Sequence, residues 1–157
     1  MINIICIIAA VVIIAADRLT KMWVASNVAV GDTFGHIGSL FSFVYVQNRG
    51  AAFSMLSGRL GILSLISVGF CIAVIVYWVW KKPKSVFLRI SLMLIAAGAA
   101  GNAFDRIFYG YVVDFIKTDF IPFPVFNIAD MAITIGAVMA VVYECISDRK
   151  NGTKNKG

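Results

Sequence analysis

Charged side chains are scarce in this chain, and their scarcity indicates its class. Only 14% of the 157 residues are charged, whereas soluble domains average about a quarter. Hydrophobic residues make up 61% of the chain, and its mean hydropathy is +0.90. This composition excludes an ordinary soluble domain and predicts an integral membrane protein.

Residues that usually bind metals or form disulfides are also few. The single histidine, His36, belongs to no zinc-binding motif. Cys6, Cys71 and Cys145 each lie inside an apolar run without paired spacing, which is typical of small buried hydrophobic side chains. The sequence also contains no GxSxG motif and no phosphate-binding loop. We therefore predict no metal site.

Four long apolar runs are present instead, over residues 2–24, 60–80, 86–104 and 125–146. Each reaches or approaches the roughly 20 residues that a membrane-spanning helix needs. Between the first two runs, residues 26–58 are rich in glycine, and hydrophobic and polar residues alternate around 40–46. We predict an all-α membrane protein with four transmembrane helices and a small extracytoplasmic β-rich segment, forming a single domain over 1–157.

Basic residues predict the orientation of these helices. The formal net charge is +6, and eight of the fourteen basic residues flank the inner ends of the runs. They are Lys81, Lys82, Lys84, Arg89, Arg149, Lys150, Lys154 and Lys156. The positive-inside rule then places both termini in the cytoplasm. Because these residues flank spans rather than form a groove, we do not expect nucleic-acid binding.

Carboxylates are concentrated between the third and fourth runs. Residues 98–130 contain four of the eight acidic residues, and an ionisable group at membrane depth costs roughly 2.5 kcal/mol, which makes it a functional candidate. Asp114 follows an extended apolar strip, and Asp130 lies near the positive end of the fourth helix dipole. We predict that the two meet. Neighbouring carboxylates share a proton, so one can activate water while the other donates, as in aspartic proteases.

Other polar residues have spacings that predict contacts. Asp17 and Lys21 are four residues apart, so they share a helix face and can pair. Asp105 and Arg106 are adjacent, so each needs a partner elsewhere. Small residues at 96–101 allow close approach of a neighbouring helix.

Five motifs in order resemble those of the lipoprotein signal peptidases (signal peptidase II), four-helix aspartyl proteases of the bacterial plasma membrane. They are Asp17-x-x-Thr20-Lys21, Asn48-x-Gly50-Ala51-Ala52-Phe53, Gly101-Asn102-x-x-Asp105-Arg106, Val112-Val113-Asp114-Phe115 and Phe126-Asn127-Ile128-Ala129-Asp130. Small departures from the family pattern occur at Arg49, Ala97 and Met131.

The resemblance implies a function and a set of site residues. Asp114 and Asp130 match the catalytic pair. The other matched positions bind substrate or support the site: Asn48, Asn102, Arg106, Asn127, Asp17, Lys21 and Asp105. The implied reaction is cleavage of a prolipoprotein before its diacylglyceryl-cysteine, without cofactor and inhibited by globomycin. We expect a monomer surrounded by membrane lipids, with its active site near the extracytoplasmic face.

Two other classes of protein compete with this interpretation. A small transporter or proton-relay protein would carry polar residues in the middle of several spans, yet residues 60–100 contain one charged residue inside the runs, Arg89, at an edge. A structural membrane partner would use its carboxylates only to pair with Arg106 and Lys117.

Overall fold

The computed structural model describes residues 2–50 and 60–154. Within them lie four helices, α1 (Ile2–Asn27), α2 (Leu60–Lys81), α3 (Val86–Tyr109) and α4 (Ile128–Lys154). All four are long and apolar enough to cross a membrane. Three strands complete the fold, β1 (Thr33–Ile37), β2 (Phe41–Asn48) and β3 (Val112–Thr118). The predicted fold class is confirmed.

Local capping interactions explain where α3 begins and ends. The Ser85 side chain accepts a hydrogen bond from the Leu88 N–H at the start of the helix. Gly110 follows Tyr109 with φ 74°, a left-handed conformation that suits glycine at a helix end. The helix therefore continues five residues beyond the end predicted at 104, so that Asp105 and Arg106 lie within it.

The sheet is larger than the sequence predicts. β1, β2 and β3 form one antiparallel sheet in that order. The third strand comes from the connection between α3 and α4, and its residue Asp114 lies opposite Val46 of β2. The sheet thus joins the two segments that leave the same side of the helix bundle.

The central helix of the bundle is α3, whose apolar window is 56% buried, against 11–17% for the other three. Glycines allow it to approach α4 closely. A Cβ added at Gly98 would lie 2.3 Å from the backbone oxygen of Ala129, and one added at Gly136 would lie 2.7 Å from that of Ser91. This contact fixes the start of α4 against the C-terminal half of α3.

Candidate active site

A reciprocal hydrogen-bond pattern begins α4 and holds Asp130. The Asn127 side-chain oxygen accepts a hydrogen bond of 2.9 Å from the Asp130 N–H. In return, the Asp130 Oδ2 accepts one of 3.3 Å from the Asn127 N–H. This is a capping box in which asparagine and aspartate replace the usual pair. The helix start therefore fixes the position and orientation of the Asp130 carboxylate.

Backbone pairing brings this helix start to Asp114. Phe126 pairs with Ile116 of β3, with hydrogen bonds of 2.8 and 2.9 Å between their backbones. As a result, the Asn127 amide nitrogen lies 2.6 Å from Asp114 Oδ1, to which it donates. Asn127 thus contacts both carboxylates, that of Asp114 through its side-chain amide nitrogen and that of Asp130 through its backbone N–H.

Asp114 is almost completely buried, with 1% of its surface exposed. Asn48 donates to its second oxygen, Oδ2, over 2.8 Å. Burial, and then the negative charge of Asp130, raise the pKa of Asp114 to about 7, against the hydrogen bonds from Asn48 and Asn127, which favour the charged form. The carboxyl group can therefore keep its proton near neutral pH.

Asn102 links Asp130 to a buried lysine. Its amide nitrogen donates to Asp130 Oδ1 over 2.7 Å. Its amide oxygen accepts from Lys21 Nζ over 2.9 Å and from Asn127 over 3.2 Å. The cationic donor at the amide oxygen therefore fixes the orientation in which the amide nitrogen faces Asp130.

Lys21 lies between two carboxylates. Its Nζ is 2.8 Å from Asp17 Oδ2 and 2.9 Å from Asp105 Oδ2, and its side chain is fully buried. The other oxygen of Asp17 accepts a hydrogen bond of 2.9 Å from the Ala129 N–H of α4. The predicted pair of Asp17 and Lys21 is confirmed, and it is buried beneath the candidate catalytic pair.

A cavity of about 430 Å³ opens beside the two carboxylates. Its polar lining consists of Asn48, Arg106, Asp114, Asp130 and Thr134, next to a larger apolar wall from α4 and the segment before it. Two wall residues, Met131 and Ile135, are also exposed on the outer surface of α4. The cavity therefore joins a polar site to the exposed apolar surface of a helix that is long and apolar enough to span a membrane.

Known proteins that resemble this chain identify the family to which it belongs. A family model described as signal peptidase (SPase) II matches residues 9–146. The chain belongs to the signal peptidase II family. The resemblance inferred from the five motifs is thereby confirmed, and a transporter or proton-relay protein is not favoured.

Individual relatives match over nearly the whole chain. The lipoprotein signal peptidase of Clostridium acetobutylicum is 39% identical, covering 90% of this chain and 94% of the relative. That of Streptococcus thermophilus is 38% identical, covering 86% and 88%. Two solved bacterial membrane enzymes superpose with TM-scores of 0.86 and 0.81, at 33% and 34% identity. The first covers 93% of this chain and 90% of its own, the second 88% and 90%.

Arg106 also lines the cavity of this signal peptidase II family member. Its guanidinium contacts the backbone oxygens of Asn102, at 3.5 Å, and Gly50, at 3.4 Å. Its buried Nε has no hydrogen-bond partner among the residues that the structure describes. Ala51, Ala52 and Phe53 of the predicted turn lie outside those residues.

Asp105 does find partners elsewhere, as its position beside Arg106 predicts. Besides Lys21, it accepts a hydrogen bond of 2.6 Å from Arg18 Nη1. Sequence reasoning missed Arg18. A signal was available, because Arg18 is a third charged residue within the same five-residue stretch as Asp17 and Lys21.

Other sequence-based expectations have definite positions in the structure. Lys117, which a purely structural protein would pair with the central carboxylates, instead pairs with Asp119 at 3.2 Å. Ala97 is buried in α3, Arg49 is exposed, and Met131 lines the cavity. Across residues 2–50 and 60–154, no group of three or more His, Cys, Asp or Glu is placed to hold a metal ion.

Proposed function

We propose that this chain is an aspartic endopeptidase that removes the signal peptide from diacylglyceryl-modified prolipoproteins, cleaving before the lipidated cysteine. Asp114 and Asp130 are the catalytic residues. The observation that carries the proposal is that Asn127 binds both carboxylates: its side-chain amide donates to Asp114 Oδ1 over 2.6 Å, and its backbone N–H donates to Asp130 Oδ2 over 3.3 Å. The names of the matching lipoprotein signal peptidases support the substrate class.

The charges around the pair favour a single shared proton. Four carboxylates, three of them buried and that of Asp130 half-buried, lie near three cations. One proton makes the whole cluster neutral, and burial of a net charge is costly. The cluster consists of Asp17, Asp105, Asp114, Asp130, Arg18, Lys21 and Arg106. The raised pKa of Asp114, about 7, supports this group as the holder of the proton.

The chemistry follows from that distribution. Ionised Asp130 takes a proton from a water molecule as the water oxygen attacks the scissile carbonyl carbon. Asp114 donates its proton to the carbonyl oxygen, giving a neutral tetrahedral diol. Asp130 then passes its proton to the leaving nitrogen while Asp114 recovers one from a diol hydroxyl. The C–N bond breaks, and the pair returns to its starting state.

Substrate binding uses the polar and apolar parts of the cavity. The lipid of the substrate holds its cysteine at the bilayer surface, and its acyl chains remain in lipid along Met131 and Ile135. Asn48 and Arg106, which line the cavity, contact the peptide. An unlipidated peptide lacks the anchor that places its bond beside the pair.

The direct test is a cleavage assay with the purified chain. A diacylglyceryl-modified prolipoprotein should be cut before its cysteine, and globomycin should block the reaction. The unlipidated precursor is the matched control and should remain intact. Specific activity should not change on dilution, because one chain supplies every group of the site. Absence of cleavage, or equal cleavage of both precursors, would contradict the proposal.

We also propose that both termini are cytoplasmic and that the catalytic pair lies near the extracytoplasmic face. The lysines after α2 support this orientation. In a variant whose native cysteines are replaced, an impermeant thiol reagent applied to intact cells should label Asp32→Cys. Lys84→Cys should react only after the membrane is opened. The reverse pattern would overturn the assignment.

A further inference from the structure

Arg18 lies in the C-terminal half of α1, and its guanidinium contacts three side chains of α3. It donates to Asp105 Oδ1 over 2.6 Å and to the hydroxyl of Tyr109. Its central carbon lies 4.8 Å from the ring centre of Phe104 and 4.6 Å from that of Tyr109. These cation–π contacts fix the plane of the guanidinium, which suits arginine better than lysine.

A continuous series of contacts leads from Arg18 to the catalytic pair. Arg18 binds one oxygen of Asp105, and Lys21 binds the other at 2.9 Å. Lys21 donates to the amide oxygen of Asn102, and the amide nitrogen of Asn102 donates to Asp130. Each link is a hydrogen bond or ion pair of 2.9 Å or less.

We propose that Arg18 is a positioning residue for the peptidase reaction: by neutralising Asp105, it leaves Lys21 free to orient Asn102 against Asp130. This inference rests on the proposed function. It assigns a role to the Arg18 side chain, which neither lines the cavity nor contacts the carboxylates of Asp114 and Asp130.

The physical reason is the balance between the number of cations and the number of carboxylates around Lys21. With Arg18 present, two cations face the two buried carboxylates Asp17 and Asp105, and Lys21 still donates to Asn102. Without Arg18, Lys21 is the nearest remaining cation to both carboxylates. Its ammonium is then drawn toward Asp105, and the hydrogen bond to Asn102 weakens. The amide of Asn102 is free to rotate away from Asp130, which misplaces the base.

Loss of Arg18 also changes the local electrostatic potential. Every element packed around this network contributes charged or titratable groups. They are Asp17 and Lys21 of α1, Tyr45 of β2, Asp105, Arg106 and Tyr109 of α3, Asp114 of β3, Asp130 of α4, and Tyr111, which lies between α3 and β3. Removing one positive charge from this set makes the pair hold its shared proton more tightly. The whole pH–activity profile should therefore move to higher pH.

The test compares Arg18→Gln with Arg18→Lys in the cleavage assay. We expect Arg18→Gln to lower kcat about tenfold with little change in KM, and to shift the pH profile upward by about half a unit or more. Arg18→Lys keeps the charge and should retain the wild-type pH profile. Arg89→Gln is the matched control at the other end of the bundle, where Arg89 bonds Asn3 and the Pro83 oxygen. It should change neither quantity.

A double variant separates positioning from stability. Arg18→Gln combined with Asp105→Asn removes one charge of each sign, so it leaves no unpaired buried carboxylate and should return the pH profile to the wild-type position. The inference is overturned if Arg18→Gln leaves kcat and the pH profile unchanged, or if it lowers thermal stability alone. Failure of the wild-type protein to cleave would instead contradict the proposed function.

Discussion

Replacing Asp114 by asparagine should abolish cleavage while making the protein more resistant to heat at pH 8. Asparagine has nearly the same shape, but it cannot donate the proton that the proposed reaction requires, so we expect a loss of activity of at least about a thousandfold. Initial rates on a lipidated prolipoprotein measure this loss. Asp130→Asn should lose activity to a similar extent, because it removes the base.

The stability gain follows from the pKa of Asp114, which is raised from 3.8 to about 7 by burial and then by Asp130. The folded protein binds this proton more tightly than the unfolded chain does. Its stabilising effect is therefore fully present below pH 3.8 and is lost as the pH rises through 7. Asparagine cannot ionise, so the variant avoids this loss.

The thermal comparison should be made at two pH values. Relative to the wild-type protein, Asp114→Asn should gain more in Tm at pH 8 than at pH 5. One hydrogen bond limits the gain, since both Asn48 and Asn127 donate to this carboxyl group. Asp32→Asn is the matched control on an exposed loop and should preserve activity and stability. More than a tenth of wild-type activity in Asp114→Asn would contradict the assignment.

Replacing Lys21 by methionine should cause the largest loss of stability of any single change in the site. The lysine side chain is completely buried and lies 2.8 and 2.9 Å from two carboxylates. Methionine fills most of the volume of the lysine side chain, but it removes the positive charge that offsets the carboxylates of Asp17 and Asp105. Removing one partner of a buried ion pair costs about 3 to 5 kcal/mol, because the other charge stays buried. Thermal or denaturant unfolding in detergent measures the difference.

Activity should fall in the same variant even where it remains folded. Asn102 loses the donor that orients it, and Asp17, which binds the Ala129 N–H beside Asp130, loses its ion pair. The expected result is a lower kcat in the residual folded protein. Cleavage at wild-type rates would show that the orientation of Asn102 does not depend on Lys21.

The control for this variant is Lys117→Met. Lys117 is half exposed and pairs with Asp119 at 3.2 Å on the surface of the sheet. Surface ion pairs contribute about 0 to 1 kcal/mol, so its removal should change stability little. Equal losses in the two variants would contradict the view that burial makes Lys21 critical.

Much of the fold was readable from the sequence because it depends on local chain properties. The length of each apolar run predicts a spanning helix, since the hydrocarbon thickness fixes how many residues are needed. The spacing of Asn127 and Asp130, three positions apart, matches the capping box that begins α4. Asp17 and Lys21 pair because a helix places residues four apart on one face.

Contacts between distant segments required the tertiary structure. The pairing of β3 with β2 brings the side chains of Asn48 and Asp114 together across 66 positions, and no local pattern specifies that register. Arg18 meets Asp105 across 87 positions because α1 and α3 pack at one particular rotation and depth. The sequence by itself determined which polar side chains the membrane must accommodate. Only the packing of the helices against one another and against the sheet decided which polar side chains touch, because the energy of a buried charge depends on its neighbours in space.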